Sequence, residues 1–446
     1  MTSDWPTKKL SDLVTIKHGF AFKGEFFSDE PTSFVLTTPG NFAIGGGFQV
    51  GKKKYYSGSI PPDYQLMAGD LLVTMTDLSK QADTLGYSAV VPKGLPETYL
   101  HNQRVGLVQV KESAACLKKW VYYLMRTQSY RAWVVNSATG STVKHTSPTK
   151  IGEFSFPLPP LYVQEKIVGV LDPLEKQIEN LQHQNNALEA IAQRLFRSWF
   201  VNFDPVHAKA AGKEPEAMSA ELAALFPSEF EDSELGPIPK GWAIHTVKEL
   251  CTRVSNGATP SRSKPEYWGK GHSWFKTGEL LDGFLLQAKE EITAAGLSGS
   301  STKIFPRHSV LMAIYAAPTV GRLGILTEPA CFNQAATGML AKEYVGPWFL
   351  YQALKNGRAW FNGRSNGAAQ QNISKEIVEG YKVISPCPSL FAGFNRVVAP
   401  LYRQMESNTV TCQKLSQLRD HLLPRLISGK LSVADAERMV EEATAA

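Results

Sequence analysis

The chain has 446 residues, 47 Lys+Arg against 41 Asp+Glu, a formal net charge of +6 and 43% hydrophobic residues. Such a length suggests about two to four domains with substantial cores, and the composition is ordinary for a globular protein. No apolar run approaches the roughly 18 residues of a spanning helix, the polar start with Asp4 is no secretory signal, and the five scattered cysteines fit a reducing cytoplasm better than a disulfide scaffold or zinc ribbon.

Trp5, Leu10, Leu13 and Val14 open an apolar pattern that runs into Gly19. The stretch from Gly46 to Lys52 has the glycine and lysine spacing of a phosphate loop. Lys53, however, stands where the magnesium-binding Ser/Thr belongs, and Lys54 to Gly58 reads as strand and turn. Without a helix N-terminus behind it the cradle lacks its dipole, so a basic hairpin tip is expected instead. Gly69 to Met75 reads as a buried strand after a turn. His101-Asn102-Gln103 follows, then a polar loop of small residues from Ala138 to His145. Lys150-Ile151 leads to a proline cluster at Pro157, Pro159 and Pro160.

A long helix is predicted next. Leu171, Leu174, Ile178, Leu181, Leu188 and Leu195 follow a heptad seam completed by Asn185, Ala192 and Trp199. Pro173 marks a first turn or a kink. Glu175, Lys176 and Glu179 are expected to form a solvent-exposed charged face. Residues 203–240 are rich in proline and acid and read as a linker with one short helix.

Beyond that connector the order repeats. Trp242, Val247, Leu250 and Cys251 run into Gly257; Arg307 to Ala313 reads as a buried strand; Phe332-Asn333-Gln334 follows; and a polar loop spans Gly363 to Asn372. Glu376-Ile377 leads to Pro386 and Pro388. A second seam then carries Val398, Leu401, Met405, Cys412, Leu415, Leu422 and Leu426, with Pro400 placed like Pro173. Asn408 and Arg419 interrupt it. A seam Asn either fixes register or lies at a solvated rim, and both remain open for Asn185 and Asn408. Each seam covers roughly 45 Å of helix. Two such helices can pair antiparallel, which makes the duplication a pseudo-two-fold molecule. Residues 1–155 and 241–385 are net basic and the connector is net acidic, a weak sign of two nucleic-acid contacts.

Catalytic motifs are not recognisable. The histidines form no His-x-x-x-His pair, Gly-x-Ser-x-Gly is missing, and Asn202-Phe203-Asp204-Pro205 lacks the two prolines and aromatic of an amino-methyltransferase loop. Trp268, Trp274, Tyr267 and Phe275 read as core or stacking scaffold. Binding remains: Asn and Gln suit adenine edges, Arg and Lys suit guanine, and both polar loops offer such side chains at matching places.

The ordered set resembles the DNA-specificity subunits of type I restriction–modification systems. The resemblance rests on the repeated order of domain, proline cluster and long helix. Further echoes are Gly257-Ala258-Thr259-Pro260-Ser261, Tyr267-Trp268, the stretch from Pro318 to Leu326 before Asn333-Gln334, the helix entry Leu158-Pro159-Pro160-Leu161 with Gln164 and Glu165, and the ending from Leu418 to Leu431. The second helix entry, Ser385 to Leu390, lacks the usual Gln/Glu.

The resemblance implies an α+β fold. A first target-recognition domain spans 1–156 and a first coiled-coil helix 157–202. An acidic linker (203–240) precedes a second target-recognition domain (241–385), a second coiled-coil helix (386–430) and a tail (431–446). It implies a non-catalytic, cytoplasmic subunit that reads a bipartite DNA target. The chain itself would hold no metal or cofactor. S-adenosylmethionine, ATP and magnesium would belong to partner adenine-methyltransferase and translocating restriction subunits. The DNA contacts expected are Gln103, Arg104, Thr142, Lys144 and His145 in the first domain, and Thr259, Arg262, Tyr315, Arg322, Arg364, Gln370 and Gln371 in the second. The seam residues Leu171, Leu174, Ile178, Leu181, Leu188, Leu195, Leu401, Met405, Leu415 and Leu422 mark the helices expected to dock partners. A duplicated protein-binding scaffold with a helical dimerisation rod is the rival reading.

Overall fold

The computed structural model describes residues 5–51, 53–79, 81–141, 143–315, 319–364 and 372–445. The chain divides into two compact units, residues 1–178 with 414–446 and residues 179–413. Among the described residues no helix is long and apolar enough to cross a membrane.

In the first unit a short helix, Leu10–Leu13, buries both leucines and turns strand Thr7–Lys9 into strand Val14–His18. Val14–His18 begins a four-stranded antiparallel sheet, followed across the sheet by Val105–Val110, Leu71–Thr74 and Ser88–Val90. Leu71–Thr74 is buried at every residue, as a continuous apolar run in a covered central strand requires. A smaller sheet contains Phe34–Leu36 and Thr98–Leu100 in parallel. Thr7–Lys9 pairs with Ser155–Pro157 and so carries the chain to the proline cluster.

The second unit repeats this. Helix Val247–Leu250 starts in a capping box between Thr246 and Glu249 and turns Ala243–Thr246 into Cys251–Asn256. The sheet order is Cys251–Asn256, Ala336–Ala341, Val310–Ala313 and Leu323–Leu326, with Gly283–Leu285 added in parallel at the edge. Trp268–Phe275 and Cys331–Phe332 form the parallel pair of a smaller sheet, and Ala243–Thr246 pairs with Lys382–Ser385. The duplication visible in the sequence is therefore a duplication of strand order.

The two long helices are Leu161–Phe200 and Pro388–Ile427. Each unit by itself shows them running antiparallel. In the first unit Glu175 meets Arg419, while Tyr162, Val163 and Ile167 line one cavity with Leu426. In the second, Asn185 meets Met405 while Phe196 and Trp199 meet Phe394. Pro173 and Pro400 both lie inside their helices rather than at the first turn.

The structure decides one open alternative and corrects two expectations. Asn185 and Asn408 do not lie at a solvated rim: Asn408 is 3% exposed, donates to Asn185 Oδ1 at 2.9 Å and accepts from Gln404 Nε2 at 2.8 Å. Glu175 is not on an exposed face; it is buried between Arg126 and Arg419, each at 2.9 Å. Arg419 thus interrupts the seam because it answers that carboxylate. Finally, residues 203–240 are not a free linker. Phe203, Val206, Phe226 and Ile238 are buried in one cluster with Trp199, Phe200 and Trp242. Each such side chain is worth about 1.5–3 kcal/mol of burial. The acidic residues that suggested a linker stay exposed, whereas Pro205, Pro215 and Pro239 are buried.

Candidate nucleic-acid interface

A shared frame of backbone hydrogen bonds defines one end of each large sheet. In the first unit the frame forms where Val105–Val110 begins. Gly19 N–H donates to Val105 O, Phe20 N–H to His101 O, Met75 N–H to Arg104 O, Gly86 N–H to Thr74 O and Thr146 N–H to Met75 O, all at 2.8–3.2 Å. In the second unit the same bonds run from Gly257 to Ala336, Ala258 to Phe332, Ile314 to Ala335, Gly321 to Ala313 and Ile373 to Ile314, at 2.8–3.1 Å. Two glycine pairs are required by this frame. A Cβ at Gly19 would collide with the Asn102 carbonyl, and one at Gly257 with the Phe332 carbonyl. Gly86 and Gly321 adopt φ of +80° and +78°, which side chains resist.

The frame gathers the first unit's candidates. Gln103 and Arg104 are exposed at the start of Val105–Val110. Lys144–His145 pairs antiparallel with Thr76–Asp77, and His145 Nδ1 lies 3.1 Å from Thr76 Oγ1. Thr142 lies outside the described residues. Asp77, which the sequence reading missed, organises the neighbouring loop. Its carboxylate accepts from Ser79 N–H at 2.6 Å and from Thr84 N–H and Oγ1 at 2.5 and 2.7 Å. Burial pushes its pKa up, but these hydrogen bonds outweigh burial and hold it below the usual carboxylate range. Arg131, on helix Gln128–Asn136, closes the loop by donating to Leu85 O and Ala82 O.

In the second unit Thr259 is hydrogen-bonded to Gln334, which joins the first and middle strands of the frame. Tyr315 is 39% exposed and its carbonyl accepts from Thr319 Oγ1 at 3.0 Å. Arg322 is half-buried beside Gly321. Arg358 donates to Gly321 O at 2.9 Å and is ion-paired with Asp282, the counterpart of Arg131. Arg364 is exposed at the end of helix Arg358–Gly363, with its guanidinium 3.9 Å from the Trp360 ring centre. Gln370 and Gln371 lie outside the described residues. Arg262 is set apart from the frame: its guanidinium stacks 3.4 Å over Trp268 and pairs with Glu290 at 2.5 Å. Burial raises the Glu290 pKa, yet Lys276 and Arg262 together hold it below its ordinary value.

The seam residues are spent within the chain. Leu171, Leu174, Ile178, Met405, Leu415 and Leu422 are buried, while Leu181, Leu188, Leu195 and Leu401 are half-buried. Among the described residues no three His, Cys, Asp or Glu side chains gather as a metal site.

The signal for the missed positions lies in the repeat itself. Thr84-Leu85-Gly86-Tyr87 and Thr319-Val320-Gly321-Arg322 occupy the same place in the frame, with Leu85 and Val320 both buried.

Comparison with known proteins agrees with this duplicated plan. The family model described as the type I restriction modification DNA specificity domain matches residues 2–190 and 239–389. The chain is 27% identical over 347 residues to the type I restriction enzyme HindI specificity subunit of Haemophilus influenzae, covering 68% of this chain and 75% of that protein. It is 23% identical over 357 residues to the MjaIX specificity subunit of Methanocaldococcus jannaschii, covering 79% and 76%. The crystal structure of a type I restriction–modification S subunit from M. genitalium has the same fold, with a TM-score of 0.54 at 13% identity over 95% of this chain and 96% of that one. The chain belongs to the type I restriction–modification DNA specificity family.

Proposed function

We propose that this protein is the sequence-reading subunit of a type I restriction–modification complex. Each unit reads one half of a split DNA target with the end of its sheet. Catalysis is left to partners: methyltransferase subunits that carry S-adenosylmethionine and modify adenine, and restriction subunits that use ATP and magnesium. The observation that carries this reading is the repeated frame, which offers two similar platforms with different exposed polar side chains. Base edges are distinguished by such side chains, whereas a shared backbone can only position. Gln103, Arg104, Lys144 and His145 are the first unit's readers; Thr259, Tyr315, Arg322 and Arg364 are the second's. Arg262, tied to Glu290, is better suited to a phosphate.

The test is base-resolution methylation mapping in a methylation-free host that expresses the chain with its neighbouring methyltransferase. Adenine methylation at a split motif with a fixed gap is expected. Exchanging residues 241–385 for those of a relative should change only one half of that motif. Arg322→Ala should relax one position, at a cost of about 1–3 kcal/mol in discrimination. Salt-insensitive behaviour and no DNA affinity, with the methyltransferase bound, would instead support the protein-scaffold reading.

A further inference from the structure

Matching the two frames bond for bond pairs Phe20 with Ala258, Arg104 with Ala335 and Tyr87 with Arg322, while Gln103 and Gln334 are the same residue in both. Backbone position is held constant at these pairs, and chemistry is not. A ring replaces a methyl, a guanidinium replaces a methyl, and a phenol replaces a guanidinium. We propose that Phe20 and Tyr87 are specificity-determining residues of the first unit, reading base edges beside Gln103 and Arg104. This inference rests on the DNA-reading function proposed above and names further residues for it.

Phe20 is 36% exposed, although an aromatic ring gains by burial. Its carbonyl accepts from Gln103 N–H at 3.0 Å, so its backbone is bonded directly to that of an expected base reader. The ring is held in place by Phe22 at 5.1 Å and Tyr64 at 5.2 Å between centroids. A ring fixed in advance loses little conformational freedom on binding. Its apolar surface suits the 5-methyl group of thymine, which only the major groove displays.

Tyr87 is fixed from two sides. Its carbonyl accepts from Thr74 N–H at 3.1 Å and its N–H donates to Thr84 O at 3.1 Å. The Arg131 guanidinium lies 4.7 Å from its ring centre. Where Arg322 can offer a two-pronged donor to guanine, Tyr87 offers a single hydroxyl that both donates and accepts. The same place in the two frames therefore selects different bases.

The experiment compares methylated motifs, position by position, for the full chain and its variants co-expressed with the methyltransferase. Tyr87→Phe keeps the ring under Arg131 and removes only the hydroxyl; Phe20→Ala removes the exposed ring. Each is expected to lose about five- to hundred-fold discrimination at one position of one half, with the other half unchanged. Phe26→Ala, equally exposed at 38% but outside the frame, is expected to leave the motif intact. Should Phe20→Ala fail to fold, Tyr87→Phe carries the test alone. An unchanged motif in folded variants, or a uniform loss at every site without relaxation, would overturn the inference. Absence of any split motif with the unmodified chain would overturn the functional reading itself.

Discussion

The stretch of paired long helices in the first unit is fastened by charge, and that in the second by amides. Glu175 sits between Arg126 and Arg419 and also accepts from Tyr122 Oη at 3.3 Å. Asn185 and Asn408 instead hydrogen-bond each other, and Asn185 Nδ2 reaches Met405 O and Thr409 Oγ1 at 3.2 Å. Both contacts interrupt a leucine seam, and both fix which residues face each other. They differ in what failure leaves behind. An unpaired buried charge has no solvent to turn to, whereas an unpaired amide loses only hydrogen bonds.

The largest effect is therefore expected at Glu175. Glu175→Gln removes the charge that compensates the buried Arg126 guanidinium and one partner of Arg419, which keeps Asp420 at 2.8 Å, and about 3–5 kcal/mol of stability should be lost. Thermal unfolding of the full chain followed by calorimetry would measure it. A loss below about 1 kcal/mol would mean that water reaches the triad and that the two stretches do not differ in kind.

The same contact predicts how acid acts. Burial raises the Glu175 pKa, but Arg126 and Arg419 outweigh it and hold the carboxyl below its ordinary value. A depressed folded pKa means that the contribution is complete above the unfolded carboxylate range. It is lost as pH falls through the lowered folded value. Asp77 in the same unit follows the same sign. The amide pair has no proton to gain. Acid titration of the wild type and of Glu175→Gln should show a shallower pH dependence in the variant. Identical curves would remove Glu175 as a source of acid sensitivity.

A smaller effect tests the amides. Asn408→Leu leaves the Asn185 carbonyl without its donor and should cost about 1–3 kcal/mol. The double variant with Asn185→Leu should recover most of that, since replacing both polar partners by apolar groups is nearly neutral. It would also surrender a device that fixes helix register. Non-additivity in a double-mutant cycle would measure the pairing directly.

These contacts show where the sequence was legible. The heptad leucines, the proline clusters and the strand at 71–74 announce themselves because periodicity and composition are local properties. The roles of Glu175 and Arg419 do not, since a charge at a seam is read as an interruption until its partners are known. The connector misled for a related reason. A few buried aromatics, Phe203 and Phe226 among them, fix a segment whose remaining residues look unstructured. At the sheet ends, Gln103, Arg104 and His145 stand out as candidates by residue type and by the family resemblance. Tyr87, Phe20 and Asp77 needed the frame, because their place is set by backbone hydrogen bonds between strands distant in sequence.

The smallest expected effect asks whether the two frames are energetically as well as geometrically alike. Directly after the frame's last bond, Ser147 caps helix Pro148–Gly152 by accepting from Lys150 N–H, and Ser374 caps helix Lys375–Glu379 by accepting from Ile377 N–H, both at 3.3 Å. A serine cap is worth about 0.5–2 kcal/mol against alanine. Ser147→Ala and Ser374→Ala should therefore cost similar amounts, close to 1 kcal/mol each. The capped helices pack alike: Ile151 is fully buried in the first unit and Val378 in the second. Equal losses in thermal stability would make the frame a unit of energy repeated in the chain. A cap that matters in only one unit would place the stabilising weight of the other elsewhere, with its chain geometry copied but its energetics not.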